Sequence, residues 1–167
     1  RELSLFPVLC GSAVNCMGSL MLMDNIVDLL PNPMEGNYHK ATRQDGETEE
    51  FVVSPGGVPT AFVFKTVSDQ YGKYSFVKVL SGEIKPDMAL VNARTGSTEK
   101  LGRLYTMRGK KTTEVKELGC GDIGVIAKMD KVKTGDTLCD PRKVVSLKNI
   151  PYPAPCYSMA IAPKTKG

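Results

Sequence analysis

The residues that could carry out chemistry are few and lie far apart along the chain. Five cysteines occupy positions 10, 16, 120, 139 and 156, and His39 is the only histidine. Zinc sites usually need closely spaced Cys-x-x-Cys pairs with histidine, and a disulfide framework needs an even number of cysteines. The sequence therefore predicts buried, reduced thiols and no metal site. It also shows no nucleophile–base set, so no catalytic residue is predicted.

Nucleotide hydrolysis would require a glycine-rich loop ending in Lys-Ser or Lys-Thr, which cradles phosphates and magnesium. No Gly-x-x-x-x-Gly-Lys-Ser/Thr sequence and no Asn-Lys-x-Asp sequence occur in the chain. Residues 69–72 spell Asp-x-x-Gly, a phosphate-sensing motif elsewhere, but they separate two predicted strands and are interpreted as a turn. We therefore expect no enzymatic activity and no cofactor in this chain.

Charge is divided unevenly along the 167 residues. Positions 1–56 hold 3 Lys or Arg against 8 Asp or Glu, and positions 57–167 hold 19 against 10. A basic region of this size is compatible with contact to a phosphate backbone, although a solvated surface explains the same balance. No apolar run approaches the roughly eighteen residues that span a membrane, so a cytoplasmic protein is expected.

The N-terminal third predicts one helix followed by a linker. Residues 6–10 form a short apolar run that indicates a buried strand, and apolar residues recur at helical spacing from Gly18 to Leu30. Pro31 and Pro33 should end this helix because proline cannot continue its hydrogen-bond ladder. Residues 34–56 are polar, acidic and glycine-containing, and they predict an exposed linker.

From residue 57 to residue 147 the pattern is that of an all-β domain. Short apolar runs recur about every dozen residues between glycine-rich turns, which is typical of barrels and sandwiches. We expect a six- or seven-stranded antiparallel barrel, because closure removes exposed strand edges. Three prolines between 151 and 155 predict a stiff connector, and the alternation over 157–162 predicts a strand of a further domain.

Several ordered motifs resemble elongation factor G, a family of translational GTPases. They are Ala61–Asn92, Pro7–Ala13, Gly119–Ile123, Thr134–Leu138 and Pro153–Lys166. The resemblance implies a mainly β fold, the antiparallel barrel of translation factors, with one helix left over from the GTP-binding domain. It assigns 1–33 to the end of that domain, 57–147 to domain II, and 148–167 to a connector and the first strand of domain III.

The resemblance also implies roles for particular residues. Ser12 and Ala13 match the loop that touches guanine, which here would be vestigial; GTP and Mg²⁺ would bind only in the parent protein. Domain II of the family touches small-subunit ribosomal RNA through hairpin loops. The matching positions are Tyr71, Gly72 and Lys73, with Arg108, Lys110 and Lys111 as a second basic loop. No aromatic stacking platform is evident in the sequence, so RNA would be recognised by shape and backbone.

The function implied is therefore a non-catalytic part of a GTPase that docks on the small ribosomal subunit during GTP-dependent translocation. Its partners would be the ribosome and the GTP-binding domain and domain III of the same parent chain, with no membrane. Departures from the family pattern leave alternatives open. Pro86-Asp87-Met88 stands where Pro-Gly-Asp is usual, and Val14-Asn15-Cys16 follows the guanine loop. A ribosomal protection protein, a paralogue of the factor or a free-standing β-barrel interaction module therefore remain candidates.

Overall fold

A computed structural model describes residues 6–35, 38–69 and 72–164. The chain divides into two compact units, Arg1–Asn37 and Tyr38–Gly167. The first unit contains the helix α1, Ser19–Leu29, close to the bounds predicted from the apolar spacing. No residue of α1 is buried, so its apolar side chains lie open.

The second unit is built from antiparallel strands. In chain order, the thirteen strands of the described residues are β1 (Tyr38–Arg43), β2 (Thr48–Val52), β3 (Thr60–Asp69), β4 (Gly72–Ser81), β5 (Glu83–Ile84), β6 (Ala89–Asn92), β7 (Thr98–Lys100), β8 (Leu104–Arg108), β9 (Lys111–Val115), β10 (Leu118–Gly119), β11 (Ile123–Ala127), β12 (Thr137–Cys139) and β13 (Val145–Leu147). The expected mainly β fold with a single helix is thus confirmed, although the strand count exceeds the prediction. Strands of two or three residues are too short to show a period in the sequence.

Eight strands form one sheet in the order β7-β6-β12-β3-β4-β11-β8-β9. The chain passes from β7 to β8 through Leu101, whose N–H donates to the Met88 carbonyl at 2.8 Å and whose carbonyl accepts from Asp87 N–H at 3.0 Å. This crossing joins β7, at one end of the strand order, to β8, next to the other end, and so closes the sheet into a β-barrel. The interior is aliphatic: alternate residues of β3 and β4, such as Val63 and Val77, are fully buried in it.

A second, smaller core lies outside the barrel. Strands β13, β1 and β2 form a three-stranded sheet whose apolar residues pack with Leu80 and Cys139 from the larger sheet. Phe51 is 3% exposed within this core. The prediction of an exposed linker over 34–56 is therefore wrong for 38–43 and 48–52. Those residues pair with each other and with β13, and the alternation that buries Ala41, Phe51 and Val53 is hidden among charged residues.

Two smaller expectations also fail. Residues 157–162 adopt no regular secondary structure and are exposed, because their alternation finds no neighbouring strand among the described residues. Cys10, Cys16 and Cys156 are exposed rather than buried, whereas Cys139 is buried and its thiol donates to the Val145 carbonyl. Burial raises the pKa of the Cys139 thiol, so this residue is held in its neutral form.

Candidate nucleic-acid interface

The β3–β4 hairpin presents two of the predicted RNA-contacting residues at its end. Asp69 pairs with Gly72 across the turn, and Gly72 has a φ of 129°, a conformation that favours glycine. Gly72 is exposed, and a side-chain carbon added there would meet no atom of the described residues within 4 Å. Tyr71, the third predicted residue of this loop, lies outside the described residues. The geometry leaves the backbone at Gly72 open to close approach by a ligand.

Lys73 has a more structural role than the sequence indicated. Its Nζ donates to the Asp130 carbonyl at 2.9 Å and to the Val132 carbonyl at 2.6 Å, 57 and 59 residues away along the chain. These bonds fix the position of the ammonium and fasten the hairpin to the segment after β11. Carbonyl oxygens do not neutralise the charge, so Lys73 still contributes a positive potential here.

The β8–β9 hairpin carries the second predicted group. Arg108 pairs with Lys111 in the register, and Gly109, with a φ of 59°, makes the tight turn between them. Arg108, Lys110 and Lys111 are all exposed. Three cations therefore crowd one hairpin tip, a placement compatible with phosphate binding.

The two hairpins line one open groove of about 500 Å³. The β3–β4 hairpin contributes Val67, Tyr74 and Phe76, and the β8–β9 hairpin contributes Met107, Gly109, Lys110 and Thr112. The Lys65 ammonium lies 5.6 Å from the centroid of the Phe76 ring. The structure thus supplies aromatic surface beside basic side chains, which the sequence analysis did not find. The available signal was the alternation of Tyr74 and Phe76 on one face of β4.

The loop expected to touch guanine is tightly folded within the first unit. Ser12 and Met17 exchange two backbone hydrogen bonds of 3.0 and 3.1 Å, and the Ser12 hydroxyl accepts from Asn15 N–H at 3.3 Å. Ala13 is exposed and Ser12 is half-buried. Residues 9–13, 17–19 and 22 line an open pocket of about 270 Å³.

The Thr134–Leu138 motif has a structural role, which rests on the hydrogen bonds of Asp136. Asp136 is 2% exposed, and its carboxylate accepts from Asn92 Nδ2 at 2.7 Å, from Arg94 Nε and Nη2 at 2.6 and 2.9 Å, and from Lys133 N–H at 2.9 Å. Burial pushes the pKa of Asp136 upward, but these hydrogen bonds and the Arg94 charge outweigh burial and lower the pKa overall. The motif therefore holds β6 and β12 together.

The described residues contain no cluster of three or more histidine, cysteine or acidic side chains placed to hold a metal ion. Their single helix, at eleven residues, falls short of the length needed to cross a membrane.

Comparison with known proteins gives one consistent answer. The family model for elongation factor G domain 2 matches residues 59–141. Elongation factor G 2 of Shewanella frigidimarina is 37% identical over 169 aligned residues, and elongation factor G 2 of Shewanella denitrificans is 38% identical over 169. Each alignment includes 100% of this chain and 24% of the relative, so the chain spans about a quarter of the length of these curated relatives.

A solved structure shows the same fold. The crystal structure of a protein from Thermus thermophilus superposes on 82% of this chain and 19% of its own, with a TM-score of 0.59 and 26% identity. The family match coincides with the barrel strands, and the relatives align from one end of the chain to the other. The chain therefore belongs to the elongation factor G family, and its β-barrel corresponds to domain 2 of that family.

Proposed function

We propose that this barrel docks an elongation-factor-G-like GTPase on small-subunit ribosomal RNA during GTP-dependent translocation. The observation that carries the proposal is the groove shared by two basic hairpins on a domain that matches elongation factor G domain 2. A groove that places Lys110 beside the Tyr74 and Phe76 rings suits an RNA backbone whose sugars and bases are partly accessible. Such a partner implies a cytoplasmic location.

Each predicted residue has a distinct task in this proposal. Gly72 admits the sugar–phosphate backbone close to the main chain, and Tyr71 contributes contact area beside it. Lys73 supplies charge from a fixed position, since its Nζ is held by two carbonyl groups. Arg108, Lys110 and Lys111 would pair with phosphates, which position the domain without reading sequence.

The remainder of the parent protein would supply the chemistry. Residues 1–33 would be the end of its GTP-binding domain, where Ser12 and Ala13 contribute to a guanine site whose phosphate and Mg²⁺ ligands lie elsewhere. Residues 57–147 would form domain II, and residues 148–167 would lead into domain III. In this arrangement the barrel is a mechanical part that transmits movement between the nucleotide site and the ribosome.

Titration of the fluorescently labelled chain with purified small ribosomal subunits tests the proposal. We expect binding that weakens steeply with salt, because each phosphate contact releases counterions. A triple variant, Arg108→Glu, Lys110→Glu and Lys111→Glu, should bind more weakly at low salt. It should also reduce the magnitude of the slope of log affinity against log salt by about two, because three phosphate contacts are lost and each contributes roughly 0.7 on single strands.

The control is charge reversal at exposed lysines that do not line the groove, Lys116→Glu with Lys164→Glu. This control changes net charge without touching either hairpin tip. Equal loss of binding in the control and the triple variant would show that the chain binds only by non-specific electrostatic attraction, which would contradict the proposal. So would the absence of salt-dependent binding by the unmodified chain.

A further inference from the structure

A second concave site opens on the outer side of the barrel, at the end of the smaller core. Phe62 and Lys78 are direct partners across β3 and β4, and with Leu80 they face the end of the three-stranded sheet. Leu147 completes an apolar floor, and the pocket has a volume of about 300 Å³. This volume can hold one large side chain and lies at the lower end of the range for ligand pockets.

The rim of this pocket is positively charged. Lys40, Lys78 and Lys148 line it together with His39. Glu50 lies opposite Lys40 in the strand register, but among the described residues no carboxylate forms an ion pair with any of these three lysines. Asp122, one residue before the Lys78 partner Ile123, accepts instead from Gly119 N–H at 2.9 Å.

The pKa of His39 also reflects its position at this pocket. Burial, and then the Lys78 charge, lower the pKa of His39 below its usual value. A proton is therefore disfavoured on His39, chiefly because the ring is partly buried and secondly because the Lys78 charge is near. An anion placed there would meet complementary charge on several sides.

We propose that this pocket docks an acidic peptide segment by one large apolar side chain, with flanking carboxylates paired to Lys40, Lys78 and Lys148. The apolar anchor would cover Leu80, Leu147 and Phe62, extending the smaller core outward. Carboxylates suit the three ammonium groups, which act as point charges and need no fixed geometry. The occupant is a protein partner, distinct from the RNA proposed for the hairpin tips.

Peptide is favoured over RNA by the chemistry of the floor. Leu80 and Leu147 are aliphatic, and among the described residues no amide or carboxylate side chain lines the pocket to pair with a base edge. A small carboxylate would satisfy only part of the rim, since three lysines and a histidine surround the opening from β1, β4 and the end of β13. A segment with several acidic residues can pair with all three lysines.

The test uses nuclear magnetic resonance on the ¹⁵N-labelled 167-residue chain. The probe is a blocked five-residue peptide with a central phenylalanine and two glutamates on each side. We expect saturable amide shifts at His39, Leu80 and Leu147, weakened by salt. The double variant Lys40→Gln, Lys148→Gln should raise the dissociation constant about three- to twentyfold, and Lys116→Gln should leave it unchanged.

Three comparison probes decide between occupants. A peptide with alanine in place of phenylalanine should lose most of the shift, because the anchor is gone. Phenylpropionate binding as tightly as the peptide would assign the pocket to a small carboxylate and overturn the proposal. A polyuridine oligonucleotide that displaces the peptide and binds the pocket more tightly would assign it to RNA. Absence of saturable shifts at about 5 mM peptide would also overturn it.

Discussion

Replacing Asp136 by asparagine should be one of the most damaging conservative changes in this chain. The carboxylate is 2% exposed and accepts four hydrogen bonds from three residues. Its Oδ2 accepts from Asn92, Arg94 and Lys133, and its Oδ1 accepts from Arg94 Nε. An asparagine oxygen in the Oδ2 position keeps three acceptor contacts, but its NH₂ group then faces the Arg94 Nε donor.

The magnitude follows from these four bonds. Three of them change from a charged to a neutral acceptor, and each loses about 1 kcal/mol of stabilising free energy. The fourth bond is lost altogether, which costs about 1.5 kcal/mol. Relief from burying a charge offsets part of this sum, and Arg94 can rehydrate because its side chain is 44% exposed. We expect the free energy of unfolding to fall by about 2–4 kcal/mol, with a drop in Tm of about 5–15 °C.

The assay is urea unfolding followed by far-ultraviolet circular dichroism, since the chain has no tryptophan. The pKa of Asp136 is lowered on folding, so its contribution is present above the unfolded pKa of about 3.9 and is lost as pH falls through the folded value. The difference between the native chain and Asp136→Asn should therefore shrink below pH 4.

Asp87→Asn is the matched control for this prediction. Asp87 and its partner Lys100 are 78% and 71% exposed, and asparagine tolerates the φ of 65° found at this position. It should cost less than about 0.5 kcal/mol. A loss below about 1 kcal/mol for Asp136→Asn, or a difference that persists unchanged at pH 2.5, would refute the reasoning.

Three further substitutions test other parts of the fold by urea unfolding. Lys73→Met should cost about 1–2 kcal/mol, since it removes both bonds to the carbonyls after β11. Gly82→Ala should cost about 2–3 kcal/mol: its φ is 61°, and the new carbon would lie 2.6 Å from a carbonyl oxygen. His39→Gln should remove an acid-sensitive component of stability. Because folding lowers the His39 pKa, the native chain should lose stability as pH falls from about 6.5 toward the folded value, and the variant should lose less.

Each of these three has its own contrary result. If Lys73→Met unfolds with the same free energy as the native chain, the hairpin is held by the hydrogen bonds between β3 and β4 alone. Gly96→Ala is the control for Gly82, because Gly96 has a φ of 69° with no atom within 4 Å of the added carbon. Equal losses at the two glycines would remove the steric argument. Parallel pH profiles for His39→Gln and the native chain would contradict the assigned pKa direction.

The barrel was predictable because its central strands carry their own signal. β4 alternates buried Ser75, Val77 and Val79 with outward residues, and glycine closes the turn before it. Local periodicity and turn chemistry agree there, so the sequence identifies the strands without knowledge of their partners. The same agreement located α1.

The smaller sheet was not predictable in this way. Among the described side chains, β1 and β2 bury only Ala41 and Phe51, which follow the charged residues Lys40 and Glu50. β13, which completes the sheet, lies about a hundred residues further along the chain. Composition therefore favoured a linker, whereas the strands depend on a long-range partner. The structural role of Lys73 was missed for the same reason, because its carbonyl partners lie nearly sixty residues away.

The β3–β4 hairpin links the two surfaces proposed to bind partners. Gly72 lies at its end, and the Phe62–Lys78 pair lies seven residues along β3 from Asp69, or about 23 Å at 3.3 Å per residue. A ligand on the hairpin tip therefore leaves the lysine-rimmed pocket open, and both partners can be held at once. Antiparallel pairing joins the two ends, with one register shift between Val63 and Lys65, so a partner in the pocket would be carried together with the tip. The hairpin thereby gives the barrel a way to set the orientation of one partner relative to the other.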